Sequence, residues 1–370
     1  MRIVVAMSGG VDSSTVAALL HEAGHEVIGV TLQLYDHGAA TGRRGACCAG
    51  QDIHDARRVA DHLGIPHYVI DAEARFGAAV IGAFADSYAA GETPVPCVQC
   101  NQAVKFPELV TLARGLGAER LATGHYVRRI EGSEGPELHT AVDKVRDQSW
   151  FLFATTRTQL AFSLFPLGDM ADKQAVRAEA GRLGVPVADK ADSQDICFVP
   201  QGSYSGLVAR LRPDAAEPGD IVGADGRTLG RHDGIAHYTV GQSKRLGTAA
   251  ADGGHRQVVV ALDAARRRVV VGPRWSGSLN VTVRDVNWLA PVPERGWRCE
   301  VKLRARETPQ PATVLESGSA GRLVLVVLDA PALAAPGQAC VFYNGTRVLG
   351  GGFIARQESG RAESAAPRRF

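Results

Sequence analysis

Apolar runs of strand length alternate with amphipathic stretches over the first 125 residues. Residues 3–6 form a short continuous apolar run, and residues 26–34, 66–70 and 120–123 read as further strands. Between them, residues 11–23 carry Val16, Leu19 and Leu20 on one helical face and stop at Gly24. Residues 52–63 place Ile53, Ala56, Val59, Ala60 and Leu63 at helical spacing. Residues 72–90 and 103–116 read as two more helices. Strands separated by helices pair in parallel through right-handed crossovers. The pattern predicts an α/β domain, an open and mostly parallel sheet with helices on both faces.

Residues 125–145 then read as a polar hairpin turning at 131–136, followed by helices at 158–164 and 172–183. After Phe198 the rhythm changes. Strand-like runs at 220–222, 237–239, 257–263, 268–271, 279–286, 298–305, 321–328 and 339–343 are separated by Gly and Pro turns. That spacing suits a small β-barrel or sandwich. The shifts divide the chain into an α/β domain over 1–200, a small central β-rich domain over 201–275, a C-terminal β domain over 276–356 and a polar tail over 357–370.

Composition narrows the class. Hydrophobic residues make up 45% of 370, which excludes wholesale disorder. No run of about 18 apolar residues is present, so no membrane span is expected. The chain enters a strand at once without a signal-peptide pattern, which points to the cytoplasm and to reduced cysteines. The formal net charge of +2 gives little whole-molecule attraction for a nucleic acid, so binding one would depend on local cations. Lys302, Arg304 and Arg306 alternate with Val301, Leu303 and Ala305. They read as three cations on one strand face, suited to a phosphate backbone or simply solvated.

The densest motif is Ala6-Met7-Ser8-Gly9-Gly10-Val11-Asp12-Ser13-Ser14, set between a strand and a helix. Its glycines allow close backbone approach to a phosphate, and the helix start attracts an anion. Its serines add hydroxyl donors. Asp12 has the wrong charge to touch phosphate, so a Mg²⁺ or loop-fixing role suits it. The Walker and dinucleotide fingerprints are absent. The motif resembles the pyrophosphatase loop of the N-type ATP pyrophosphatase superfamily, whose members cleave ATP between the α and β phosphates. The loop alone leaves the acceptor open.

Seven cysteines stand at 47, 48, 97, 100, 197, 299 and 340. Cys97 and Cys100 follow a Pro-rich turn at a predicted helix start, where the dipole stabilises a thiolate. Cys197 lies beyond the α/β pattern in Asp192-Ser193-Gln194-Asp195-Ile196-Cys197-Phe198. Sulfur transfer uses one thiol to carry a persulfide and a second to resolve it. A metal or iron–sulfur site built from Cys47, Cys48, Cys97 and Cys100 is the competing reading. Adjacent Cys47 and Cys48 are poorly spaced for one tetrahedral ion, and no tightly bound metal or cluster is expected. Cys299 and Cys340 alternate with strand residues and read as packed small hydrophobes.

Cys100-Asn101 with Lys105-Phe106, Ala122-Thr123-Gly124-His125-Tyr126, Asp147-Gln148-Ser149, the Cys197 segment, Tyr238-Thr239-Val240-Gly241-Gln242 and Pro336-Gly337-Gln338 occur in that order. Together they resemble the tRNA-specific 2-thiouridylase family over nearly the whole chain. The resemblance implies an α/β domain with a helical tRNA-binding extension, a small central domain and a C-terminal β-barrel. It implies adenylation of the C2 oxygen of the wobble uridine of tRNA by ATP with Mg²⁺, and release of AMP and pyrophosphate. It gives Cys197 the persulfide, and makes Cys100 the nucleophile that closes a disulfide with it. A persulfide sulfur donor protein, either a sulfur relay or a cysteine desulfurase, is the implied partner.

By the same resemblance ATP contacts fall on Ala6, Met7, Ser8, Gly9, Gly10, Val11, Asp12, Ser13, Leu32 and Gly124, although on sequence alone Leu32 reads better as a core leucine. The implied tRNA contacts are His125, Arg146, Asp147, Gln148 and Gln338, to which the strip adds Arg304 and Arg306. One position departs from the pattern. Many members have Asp three residues before the nucleophile, where this chain has Cys97. A thiol of pKa about 8.5 does not replace a carboxyl of about 3.9 as a proton carrier. Cys97 is therefore either an auxiliary thiol or a tolerated small residue.

Overall fold

The computed structural model describes residues 1–35, 48–192, 196–199, 204–247, 251–252, 255–292, 296–316 and 322–356. Ile3, Val4 and Val5 are wholly buried, because the strand that holds them is covered on both faces. This strand, β1 (Arg2–Ala6), lies at the centre of a parallel sheet. Around it are β2 (Glu26–Gln33), β3 (His67–Asp71), β4 (Arg120–Thr123) and the two-residue β7 (Ser163–Leu164), in the order β3-β2-β1-β4-β7.

Ile3 and Val5 pack under α1 (Val11–Glu22) and α2 (Cys48–Leu63). Val4 points the other way, into a core with Val98, Phe106, Leu109 and Val110. Those residues lie on α3 (Pro96–Cys100) and α4 (Phe106–Gly115), which the turn Asn101–Lys105 joins with π winding. The sheet is therefore covered by helices on both faces, as the periodicity predicts. The chain leaves β1 toward β2 on one side and returns to β4 on the other. An open α/β sheet forms its ligand crevice at such a reversal.

The hairpin expected at 125–145 is β5 (Val127–Gly132) with β6 (Gly135–Thr140). After it, β8 (Gly219–Gly223), β9 (Thr228–His232), β10 (Ala251–Asp252), β11 (His255–Asp263) and β12 (Arg268–Pro273) form a second sheet, ordered β10-β11-β12-β8-β9. Six antiparallel strands follow: β13 (Ser278–Trp288), β14 (Trp297–Lys302), β15 (Gln310–Glu316), β16 (Leu323–Ala332), β17 (Ala339–Asn344) and β18 (Arg347–Ile354). Pairing of β13 with β18 closes them into a barrel filled by Val281, Val283, Val301, Val326, Phe342 and both Cys299 and Cys340. Burial pushes the Cys299 thiol up to about 12 and raises Cys340 as well.

Several expectations need correction. Residues 237–239 are not a strand. The chain makes a 3₁₀ turn at Ile235–His237, and the strand lies earlier, at β9. β18 is hidden from periodicity by Gly350, Gly351 and Gly352. A Cβ at Gly351 would stand 2.8 Å from the Cys340 carbonyl, so close packing rather than hydrophobicity selects these residues. The strand expected over 298–305 ends at Lys302, the last residue paired with β17. Arg304 and Arg306 lie in the turn beyond it and share no strand face with Lys302.

The hairpin also does more than its polar pattern implies. β6 pairs with β18 through Arg347–His139 and Val348–Leu138, so the α/β domain and the barrel share one sheet. Asn287 of β13 donates to the Phe153 and Thr155 carbonyls at 2.7 and 3.0 Å. A further contact reaches the Pro-rich loop ahead of α3. Thr93 N donates to the Pro336 carbonyl at 2.7 Å, and Gln338 Nε2 donates to the Thr93 carbonyl at 3.0 Å. Gly337 makes this turn at φ +85°, where an added Cβ would stand 3.0 Å from Glu92. Gly337→Ala is expected to cost about 1–3 kcal/mol. A lower urea midpoint at unchanged m-value, with faster amide exchange at Thr93, would register it.

Candidate nucleotide and thiol site

The loop leaving β1 is held from below. Met7 N donates to the Val30 carbonyl at 2.8 Å, and the Thr31 hydroxyl donates to the Met7 carbonyl at 2.7 Å. Gly9 adopts φ +72°, and a Cβ there would lie 2.1 Å from the Asp52 carbonyl oxygen. Glycine is thus required where the loop meets α2. Ser13 Oγ accepts from Ser8 N at 3.0 Å and lies 3.2 Å from Ser8 Oγ. Gly10 places no capping side chain over the start of α1, an arrangement that favours a bound anion. Gly124, after β4, sits so close that a Cβ would stand 2.9 Å from Ser13 N.

Two lysines brace the loop from the far end of the domain. Lys190 Nζ donates to the Gly9 carbonyl at 3.0 Å and to Asp52 and Asp55 at 2.7 Å each. Burial alone would raise the Asp55 carboxyl, but hydrogen bonds from Lys190 and Gln51 outweigh it and hold Asp55 below the usual range. Lys173 Nζ reaches Asp12 at 2.7 Å and Asp192 at 2.8 Å. Asp192 also pairs with Arg146 at 2.7 Å, and the Tyr126 hydroxyl donates to Asp12 at 2.6 Å. Both bonds to the Asp12 carboxylate described here end on Oδ1.

These elements enclose a cavity of about 530 Å³, within the size range of small-molecule and cofactor sites. Ala6, Met7, Ser8, Gly10, Val11, Asp12, Ser13, Leu32 and Gly124 line it, whereas Gly9 faces α2 instead. Leu32 lines the cavity and also packs against the core beneath β2. His125 lines the same cavity, stacked on Phe106 at 6.2 Å, with Nδ1 2.9 Å from the Thr123 hydroxyl. Burial, aided by nearby Lys105, lowers its imidazole to about 3.

Cys197 and Lys105 form part of the same wall. Cys100 is buried among Phe76, Phe84, Val104 and Phe198. Phe198 sits edge-on to Phe76 at 5.7 Å and to Phe84 at 5.3 Å, which fixes the residue after Cys197 in the Cys100 core. Cys197 itself is exposed at the wall yet flanked closely enough that desolvation pushes its thiol up to about 11, against the pull of Lys105. Cys97 is exposed in the first turn of α3. The expected dipole-stabilised thiolate at Cys100 is not what forms. Cys100 ends α3 rather than starting it, and burial raises its pKa despite Lys105.

The residues singled out for tRNA separate. Arg146 and Gln148 line the cavity with His125. Asp147 turns inward, accepting from Ala141 N at 3.0 Å and from the Ser149 hydroxyl at 2.8 Å. Gln338 lies in the turn on Thr93. Arg304 donates to the Val240 carbonyl at 3.2 Å, tying the barrel to the central sheet, and Arg306 is exposed. Cys47 lies outside the described residues, and Cys48 is the first residue of α2. Among the described residues no group of three or more His, Cys, Asp or Glu is placed to hold a metal ion, and no helix is long and apolar enough to cross a membrane.

Sequence reasoning missed Lys173, Lys190 and Tyr126. Lys173 did leave a signal. It is the first residue of α5 (Lys173–Arg182), directly after the capping Asp172, where the helix dipole disfavours a cation. The His125 shift has a measurable consequence. The unfolded chain takes up its proton below pH 6.5, while the folded state resists until about 3. Stability is fully present above pH 6.5 and falls with acidification by up to about 1.4 kcal/mol per pH unit. His125→Gln is expected to flatten that loss between about pH 6.5 and 4, read as urea midpoints against pH.

A family model described as a tRNA methyl transferase HUP domain matches residues 1–201. Models described as a tRNA methyl transferase PRC-barrel domain and an aminomethyltransferase beta-barrel domain match residues 208–273 and 278–354. A protein of Acidiphilium cryptum named tRNA-specific 2-thiouridylase MnmA is 70% identical over 354 residues, covering 96% of this chain and 100% of that one. Proteins of the same name from Gluconobacter oxydans and Rhodospirillum centenum are 62% and 56% identical. They cover 96% and 99% of this chain, and 99% and 94% of their own lengths. With these models following one another along the chain and these relatives matching it over nearly its whole length, the chain belongs to the tRNA-specific 2-thiouridylase family.

Proposed function

We propose that this chain is an ATP-dependent tRNA-uridine 2-sulfurtransferase in which one cavity serves both adenylation and sulfur transfer. The observation that carries this reading is that Cys197 lines the same cavity as the Ser8–Ser13 loop. The C2 oxygen of the wobble uridine attacks the α-phosphorus of ATP and pyrophosphate leaves. Adenylation makes C2 electrophilic and its oxygen part of a good leaving group. The Cys100 thiolate then attacks the Cys197 sulfur of a Cys197 persulfide, forming the Cys100–Cys197 disulfide and releasing hydrosulfide. Hydrosulfide attacks C2 and AMP departs with the oxygen, leaving 2-thiouridine. An external dithiol reduces the disulfide for the next turnover.

The loop N–H groups and the serine hydroxyls bind phosphate, and Leu32 packs on adenine. Asp12, with Oδ1 engaged by Lys173 and Tyr126, is the residue that would hold Mg²⁺ alongside the nucleotide phosphates, where the ion would offset their charge. Arg146, Gln148 and neutral His125 contact the target nucleotide at the cavity, with Asp147 positioning them. Gln338, Arg304 and Arg306 contact tRNA from the barrel side. The incoming sulfur comes from a persulfide-carrying donor protein, and the reducing cytoplasm keeps these thiols reduced between turnovers. Cys97, exposed beside Cys100, serves as an auxiliary thiol.

Incubation with ATP, Mg²⁺, a persulfide donor and unmodified tRNA should yield wobble 2-thiouridine by mass spectrometry. Adenylation of a small molecule with no thiolation of any tRNA would overturn the proposal. Cys197→Ser should abolish sulfur transfer while AMP formation stays measurable. Loss of both would mark Cys197 as structural. Cys97→Ala should slow single-turnover thiolation, and an unchanged rate would remove Cys97 from the mechanism.

A further inference from the structure

Lys105 is a cation whose surroundings its own helix does not explain. It closes the π-wound turn Asn101–Lys105, where the backbone pairs residues five apart rather than four. Cys100, the last residue of α3, immediately precedes this turn. Its neighbours Val104 and Phe106 are both buried in core, and its own partly buried side chain lines the cavity with Cys197 and His125. Among the described residues, it makes no hydrogen bond and no ion pair with a carboxylate. The titratable groups that face it are Cys97, Cys100, Cys197 and His125. Removing an ammonium from water without a counter-charge is costly. The contrast with Lys190 is direct, since that lysine at the loop is saturated by two carboxylates and a carbonyl.

We propose that Lys105 is the counter-ion of the sulfur-transfer step, its ammonium set beside Cys100 and Cys197 to hold the thiolate and hydrosulfide charge that passes between them. This rests on the sulfurtransferase reading and adds to it the group that makes a buried thiol pair reactive. Burial raises both thiols, and Lys105 is the side-chain charge that opposes it at each. Burial would likewise lower the Lys105 ammonium, but the three thiols together outweigh it. The same cation helps keep His125 neutral. No additional co-reactant is required, because Lys105 neither gives up its proton nor forms a bond. It sets the charge of the site.

The test uses the full chain with Lys105→Met and Lys105→Arg. Iodoacetamide alkylation of Cys100 and Cys197, followed by peptide mass spectrometry against pH and without ATP or tRNA, reads the thiolates directly. Lys105→Met should move the Cys197 profile up by about one pH unit or more, a tenfold lower alkylation rate on the rising limb, and Lys105→Arg should restore it. In single turnover, the Met variant should lose about tenfold or more in thiolation while AMP formation persists. An unmoved alkylation profile in a folded Met variant would overturn the proposal. So would a loss confined to the KM for ATP, which would make Lys105 a phosphate ligand. A shifted profile with no thiolation by the unmodified enzyme would uphold Lys105's hold on the thiols and overturn the sulfurtransferase reading instead.

Discussion

Lys173 joins Asp12, in the first turn of α1, to Asp192, five residues before Cys197 in the chain. Its side chain is 11% exposed and that of Asp192 16%, so water screens this bridge far less than a surface pair. Breaking such a pair leaves a buried charge without a partner, which costs several kcal/mol. Asp12 and Asp192, both on the cavity wall, are therefore held in one charge network. Lys190 repeats the arrangement two residues earlier, gripping the loop carbonyl of Gly9 together with α2. Lys190 and Asp192 are held by charge, and Phe198 is held by its ring cluster.

Local order was legible in the sequence where the physics is local. The continuous apolar run of Ile3, Val4 and Val5, the helical stripe from Ile53 to Leu63, and the glycine-rich turn before Val11 all depend on neighbours a few residues apart. What escaped depends on distance. Tyr126 and Lys173 meet Asp12 across 114 and 161 residues, and Gln338 meets Thr93 across 245. No periodicity encodes such contacts. β18 was invisible because its glycines are chosen by backbone approach, and Arg304 was misplaced because alternation continues past the last paired residue. The fold class could be read from pattern and motif, but the charge network that holds the cavity together could not.

The cysteines show how position overrides composition. Cys299 and Cys340 fill the barrel as small hydrophobes, and their thiols are pushed far from reactivity. Cys97, Cys100 and Cys197 share the electrostatic surroundings of Lys105, a residue that a net charge of +2 would never single out. A single cation in a low-dielectric wall acts more strongly on its neighbours than many solvated ones on the surface.

The pairing of β6 with β18 bears on how this chain can be divided. β6 belongs in sequence to the α/β domain, but its outer edge is covered by a barrel strand about 200 residues away. A fragment ending after the α/β domain would present β6 as a bare edge with Leu138 uncovered, a template for pairing with other chains. The domains are thus consecutive along the chain but joined through one sheet. The barrel strand thereby covers part of an edge that the α/β half would otherwise expose.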